Sequence, residues 1–149
     1  MVQKKQEALK LRIPVRQGIE IGLACLAAVA VMGVMLSLRL VPSRYPSVAM
    51  LLWLAVGSPV LEEFAFRGLL QDELVRFLPH NKFPVSLGNL LTSLVFSLLH
   101  LLLYGSFWSL LVFFPSLVFG YFKDQYNSIK PSIGLHVLYN TMYFSLFGV

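Results

Sequence analysis

A small set of side chains in this sequence has the types and spacing to do chemistry together. Glu62 and Glu63 are adjacent, and Arg67 follows the second by four residues, in Ser58-Pro-Val-Leu-Glu-Glu-Phe-Ala-Phe-Arg67-Gly68. Phe96 and His100 form a second pair four apart, and His136 and Asn140 form a third. All three groups lie in apolar surroundings. A charge at the centre of a bilayer costs from about 3 to more than 10 kcal/mol, so an intramembrane charge is by default a functional site.

Helix geometry divides the two glutamates. Neighbours on a helix differ by about 100°, so Glu62 and Glu63 point to different places. Glu63 and Arg67 share a face, and the guanidinium is placed to neutralise Glu63. Glu62 is left to face something else. A carboxylate held out of water without a cation takes up a proton readily, which is what a general base near neutral pH requires. Pro59, one turn earlier, removes a backbone donor and predicts a kink with room for water. His100 can share a proton with that water. His136 and Asn140 can both donate to one point, as an oxyanion needs.

Other chemistries fit less of the pattern. Neither GxSxG nor HExxH is present. Ser93 and Ser97 flank His100 without an acid–base relay to activate them. Two histidines and one glutamate are also a plausible ligand set for a catalytic zinc with an open position. Outside enzymology, a polar cavity of this kind could bind a lipid, a peptide or a partner helix, as an immunity protein would. Taken singly, Glu63–Arg67 reads equally well as a buried ion pair that fixes packing. His80, in a Pro-His-Asn-Lys stretch, reads as a solvated loop residue outside the site.

The elements that must position these residues are membrane helices. Of the 149 residues 57% are hydrophobic and 13% charged, where a soluble domain has about 25% charged. The expected architecture is an all-α, polytopic helix bundle forming one domain over 1–149, with the motif core at 59–142. Apolar stretches run about Gly18–Leu38, Val48–Leu61 with its charged continuation, Leu87–Tyr104, Phe107–Phe122 and Ile133–Val149. They predict about five spans, the last two short for the usual 20 or so residues. Segment Gly68–Leu78 is amphipathic and is expected to carry the second helix out along the surface. Lys4, Lys5, Lys10, Arg12 and Arg16 precede the first span, reading as a topology signal and not a nucleic-acid surface. With the N-terminus inside, nine basic loop residues fall on the cytoplasmic side and Arg39 and Arg44 outside. The apolar run past Ala28-Val29-Ala30 favours a retained anchor over a cleaved signal. The lone Cys25 excludes an internal disulfide.

The ordered motifs Glu62-Glu63-x-x-x-Arg67, Phe96-x-x-x-His100 and His136-x-x-x-Asn140 resemble those of the CAAX protease and bacteriocin-processing family, also called the ABI family. Pro59, Phe66 and Gly68 fit the setting of its first motif. The resemblance covers about half the chain. It implies a glutamate-dependent intramembrane endopeptidase of the cell (inner) membrane, without a cofactor. Glu62 and His100 would activate the attacking water, and His136 and Asn140 would stabilise the oxyanion. Glu63 and Arg67 would support or orient substrate. The implied partner is a membrane-anchored protein or peptide with a C-terminal processing signal. The chain is shorter than larger relatives, with about five spans. Such compact members resemble the bacterial branch that pairs with C-terminal sorting-signal proteins.

Overall fold

In a computed structural model, residues 2–38, 46–78 and 84–148 are described, with side chains from residue 14 onward. His80, Arg39, Arg44 and Lys82 lie outside the described residues. The described residues contain helices and no strand. In lipid only a helix or a closed barrel satisfies every backbone group, and this chain uses helices.

The chain divides into two units, Met1–Val41 and Pro42–Val149. The first holds helix α1 (Val2–Ser37). Its membrane-length part is Pro14–Ser37. The helix starts well ahead of the apolar stretch expected from Gly18, because the Lys, Gln, Glu and Arg residues before it are good helix formers. Val15, Ile19, Leu23, Leu26 and Val29 are exposed, as suits lipid contact.

The second unit carries every motif residue. It comprises α2 (Val48–Phe77), α3 (Leu87–Tyr104), a 3₁₀ turn (Phe107–Val112), α4 (Phe113–Tyr126) and α5 (Lys130–Phe147). The boundaries follow local chemistry. Ser86 caps α3 by accepting from the Asn89 N–H at 2.9 Å, and Gly105 ends it with φ 63°. Asn127 closes α4 in the left-handed region, and Pro131 stands in the first turn of α5, where a missing N–H costs nothing. Segment Gly68–Leu78 continues α2 without a break as far as Phe77.

Burial in this unit is inverted relative to a soluble protein. Glu63, Arg67, Gln71, Asn89, Thr92, Ser93, Ser116 and Ser132 are fully buried, whereas Leu61, Phe64, Leu69, Leu94, Leu98 and Leu102 are exposed. Lipid tails solvate leucine as well as a core does, so helices associate through close packing and polar contacts instead. Helices α1, α2 and α3 are long and apolar enough to cross a membrane. Helix α4 has 14 residues and α5 has 18 with several polar side chains, so neither is an ordinary span.

α3 packs on α4, α4 on α5, and α2 on both α3 and α5. Gly120 sets the α3–α4 spacing. A Cβ there would meet the Asn89 Oδ1 at 1.9 Å. Asn89 cannot retreat, since its Nδ2 donates to the Leu117 carbonyl and its Oδ1 accepts from Ser93, both at 3.0 Å. Gly120→Val should therefore destabilise the folded protein by about 1–3 kcal/mol, the usual cost of overpacking. Thermal unfolding in detergent reads this out; an unchanged midpoint would show that the helices can part freely.

Candidate active site

The site begins with an irregularity in α2. Residues Trp53–Gly57 and Phe64–Gln71 form wide π turns, and Ser58–Glu63 is ordinary α-helix between them. The Ser58 N–H reaches back five residues to the Trp53 carbonyl. In that register the next donor would serve the Leu54 carbonyl, but the next residue is Pro59, which has no N–H. Leu54 is thereby left with an unfilled acceptor, and the Asn140 Nδ2 donates to it at 3.0 Å. The irregularity predicted at Pro59 thus takes the form of a π turn, and α5 closes the gap. Such turns are frequent at functional sites.

Asn140→Leu should leave that carbonyl orphaned, at a cost of about 1–3 kcal/mol. The double change with Pro59→Ala restores a backbone donor and should recover part of the lost melting temperature. If the double variant melts no higher than Asn140→Leu alone, the Leu54 bond is not what Asn140 supplies.

Glu62 and Glu63 diverge, as adjacent helical residues must, yet one ring touches both. His136 Nδ1 lies 2.9 Å from Glu63 Oε1, and its Nε2 lies 3.7 Å from Glu62 Oε2. The ring stacks on Phe119 with centroids 4.7 Å apart and meets the edge of Phe96 at 5.9 Å. Its orientation is therefore fixed from three directions. A carboxylate already paired with a guanidinium is an acceptor, so the Nδ1–H donates to Glu63 and Nε2 faces Glu62. Ser58 Oγ donates to Glu62 Oε1, which leaves the buried Oε2 without a partner.

Glu63 and Arg67 pair as the four-residue spacing predicts, with Oε2 and Nε 3.3 Å apart and both side chains at 0% exposure. The two atoms are misaligned for a hydrogen bond, so the attraction is Coulombic. The rest of the guanidinium is held firmly. One terminal nitrogen donates to Gln71 Oε1 at 3.2 Å, and the other to the Ser116 carbonyl at 3.0 Å and its hydroxyl at 2.5 Å. Arg67 also sits over the Phe96 ring, 5.9 Å from its centroid.

Phe96 is the hub between the motifs. It contacts Phe66 edge-on at 5.0 Å and lies tilted against His100 at 4.3 Å. His100 Nδ1 is 3.0 Å from the Phe96 carbonyl, so that nitrogen carries the proton and Nε2 is the atom left for chemistry. Tyr104 follows on the same face, 5.7 Å from His100. The arrangement brings Glu62, Glu63, Arg67, Phe96, His100 and His136 into one connected set and ties Asn140 to the same stretch of α2. Sequence reasoning missed Ser58, Ser116, Gln71 and Phe119. Gln71 had left a signal: Glu63, Arg67 and Gln71 recur every four residues as a polar stripe.

Glu62 and His136 offer two donors toward one point. Among the described residues no group of three His, Cys, Asp or Glu side chains comes together to hold a metal ion.

A helix bundle with apolar outer faces and a carboxylate–imidazole–carboxylate cluster inside it defines a membrane protein with a polar centre. The family model for type II CAAX prenyl endopeptidase, Rce1-like, matches residues 44–142. The chain belongs to that family, a family of CAAX proteases, and the match spans all three motifs. No curated protein and no solved structure matches the chain.

Proposed function

We propose that this protein is a glutamate-dependent intramembrane endopeptidase that cuts near the C-terminus of a membrane-anchored protein. The observation that carries the reading is the unpartnered Oε2 of Glu62, buried and facing the Nε2 of a histidine whose other nitrogen is committed to Glu63. Oε2 and the His136 Nε2 3.7 Å away together offer a water molecule two polar partners.

The chemistry follows from these positions. Glu62, with His100 Nε2 as second acceptor, takes a proton from water. The hydroxide adds to the scissile carbonyl carbon, and the carbonyl electron pair moves to oxygen. His136 takes a proton from solvent at Nε2 while its Nδ1–H stays on Glu63, and as the imidazolium it donates from Nε2 to that oxyanion. Asn140 has two amide hydrogens, one given to Leu54 and the second for the oxyanion. Collapse expels the amine, which leaves with the proton held by Glu62. Glu63 and Arg67 keep the imidazole in place. Such an enzyme would sit in the cell (inner) membrane as a multi-pass protein, N-terminus inside, and would need no cofactor.

The test uses purified protein in liposomes with a lipid-anchored reporter ending in a CAAX sequence, and a second reporter ending in a sorting-type apolar tail. Mass spectrometry should show one new carboxyl terminus close to the end of one reporter. Both reporters left intact by active-site-competent protein would overturn the substrate class.

A further inference from the structure

The glutamate–histidine centre does not end at Arg67. Arg67 donates to Gln71 Oε1 at 3.2 Å, and Gln71 Nε2 donates to the Gly120 carbonyl at 3.0 Å and to Asp124 Oδ1 at 2.7 Å. The other oxygen, Asp124 Oδ2, accepts from Ser86 Oγ at 2.5 Å, and the same hydroxyl caps α3. A single polar line therefore runs from His136 on α5 through Glu63, Arg67 and Gln71 on α2 to Asp124 on α4 and Ser86 at the start of α3. It joins all four helices of the second unit.

Gln71 is fully buried, and it has just the valences this line needs. Its oxygen fixes the guanidinium and its nitrogen reads the Asp124 carboxylate. The charges also alternate: Glu63, then Arg67, then Asp124, with the neutral amide between the last two. Asp124 thus supplies a second negative charge to a guanidinium whose pairing with Glu63 is misaligned. Without it, Glu63 alone would have to neutralise Arg67, a pull that opposes its bond to His136.

We infer that Gln71 and Asp124 are positioning residues that hold His136 in its reactive orientation through Arg67 and Glu63. The inference rests on the proposed peptidase reading for its kinetic readout, and on geometry alone for its spectroscopic one. A neighbouring ion pair provides the control. Lys123 Nζ meets Asp72 Oδ1 at 2.5 Å, one residue along on the same two helices, and does not touch Arg67. It joins α2 to α4 as the Gln71–Asp124 bond does.

The experiment compares Gln71→Leu, Asp124→Asn and Asp72→Asn in the full-length protein in liposomes. Turnover of the reporter gives kcat and KM, and the proton resonance of the His136 Nδ1–H, assigned by its loss in His136→Phe, gives the ring's state. Gln71→Leu should lower kcat by about ten- to a hundredfold, the cost of a misplaced catalytic group, with KM little changed. Asp124→Asn keeps an oxygen for Gln71 and removes the charge, and should fall between Gln71→Leu and wild type. Both should shift or broaden the His136 resonance, and Asp72→Asn should do neither. If Asp72→Asn lowers kcat as much, or if the resonance is unmoved in Gln71→Leu and Asp124→Asn, the line is only helix packing and the inference fails. Should wild-type protein leave the reporter uncut, the peptidase reading fails, and the resonance alone decides this inference. Where Gln71→Leu does not fold, Asp124→Asn decides it.

Discussion

Glu62→Gln should reduce kcat by about 10²–10⁴-fold, the usual contribution of a positioned general base, while KM and melting temperature stay close to wild type. The amide is isosteric and keeps an oxygen for Ser58 Oγ, so the local hydrogen bond survives. What it loses is the ability to accept a proton from water. Folding has little stake in Glu62, because Oε2 makes no hydrogen bond and its contact with His136 Nε2 is loose, at 3.7 Å. The same substitution at Glu63 should behave differently. Its Oε1 receives the His136 Nδ1–H and its Oε2 faces Arg67, so Glu63→Gln leaves a fully buried guanidinium short of its nearest countercharge. Loss of thermal stability should accompany any loss of turnover there. Measuring kcat and the unfolding midpoint on the same two preparations separates the roles. Comparable kcat for Glu62→Gln and wild type would remove Glu62 from the chemistry.

Arg67→Ala should be the most damaging substitution for the fold, at about 3–5 kcal/mol, the range for removing one partner of a buried ion pair. The loss is not that of a single pair. Ser116 would lose the donor to its carbonyl and hydroxyl, Gln71 the donor to its oxygen, and Glu63 a countercharge inside an apolar bundle. Phe96 would lose the cation above its ring. Arg67→Lys should recover only part of this, because an ammonium lacks the planar fork that reaches Glu63, Gln71 and Ser116 at once. Detergent-solubilised yield and thermal unfolding are the measurements. Wild-type stability in Arg67→Ala would mean that the buried carboxylate is satisfied some other way.

Much of this was legible in the sequence, and the reasons differ by residue. The Glu63–Arg67 pair follows from the four-residue spacing alone. The bounds of α3 follow from Ser86 before the apolar run and Gly105 after it. The all-helical membrane fold follows from composition and from the absence of alternation. The meeting of both glutamates at His136 was not legible, since it depends on how α5 packs against α2. Adjacent residues do point apart, but an imidazole has two nitrogens on opposite sides, so one ring can serve both. The bond from Asn140 to Leu54 was hidden for another reason. It exists because a π turn shifts the carbonyl that Pro59 leaves empty, and no propensity scale registers a π turn. Asp124 is unremarked in sequence because it sits beside Lys123 at a helix end, where a charged pair reads as solvated. Helix α1 was recognisable by its apolar run, while its earlier start lay in residues whose helix propensity the run conceals.

The account turns on Glu62 acting as a base and not as a nucleophile. The most direct measurement is a single turnover of the reporter in water labelled with heavy oxygen, followed by digestion and mass spectrometry of both product and protein. Direct attack by a Glu62-activated water predicts heavy oxygen in the new carboxyl terminus of the product and none in the peptide that contains Glu62. Heavy oxygen in the Glu62 side chain would mean that its carboxylate had bonded to the substrate, and would contradict the account.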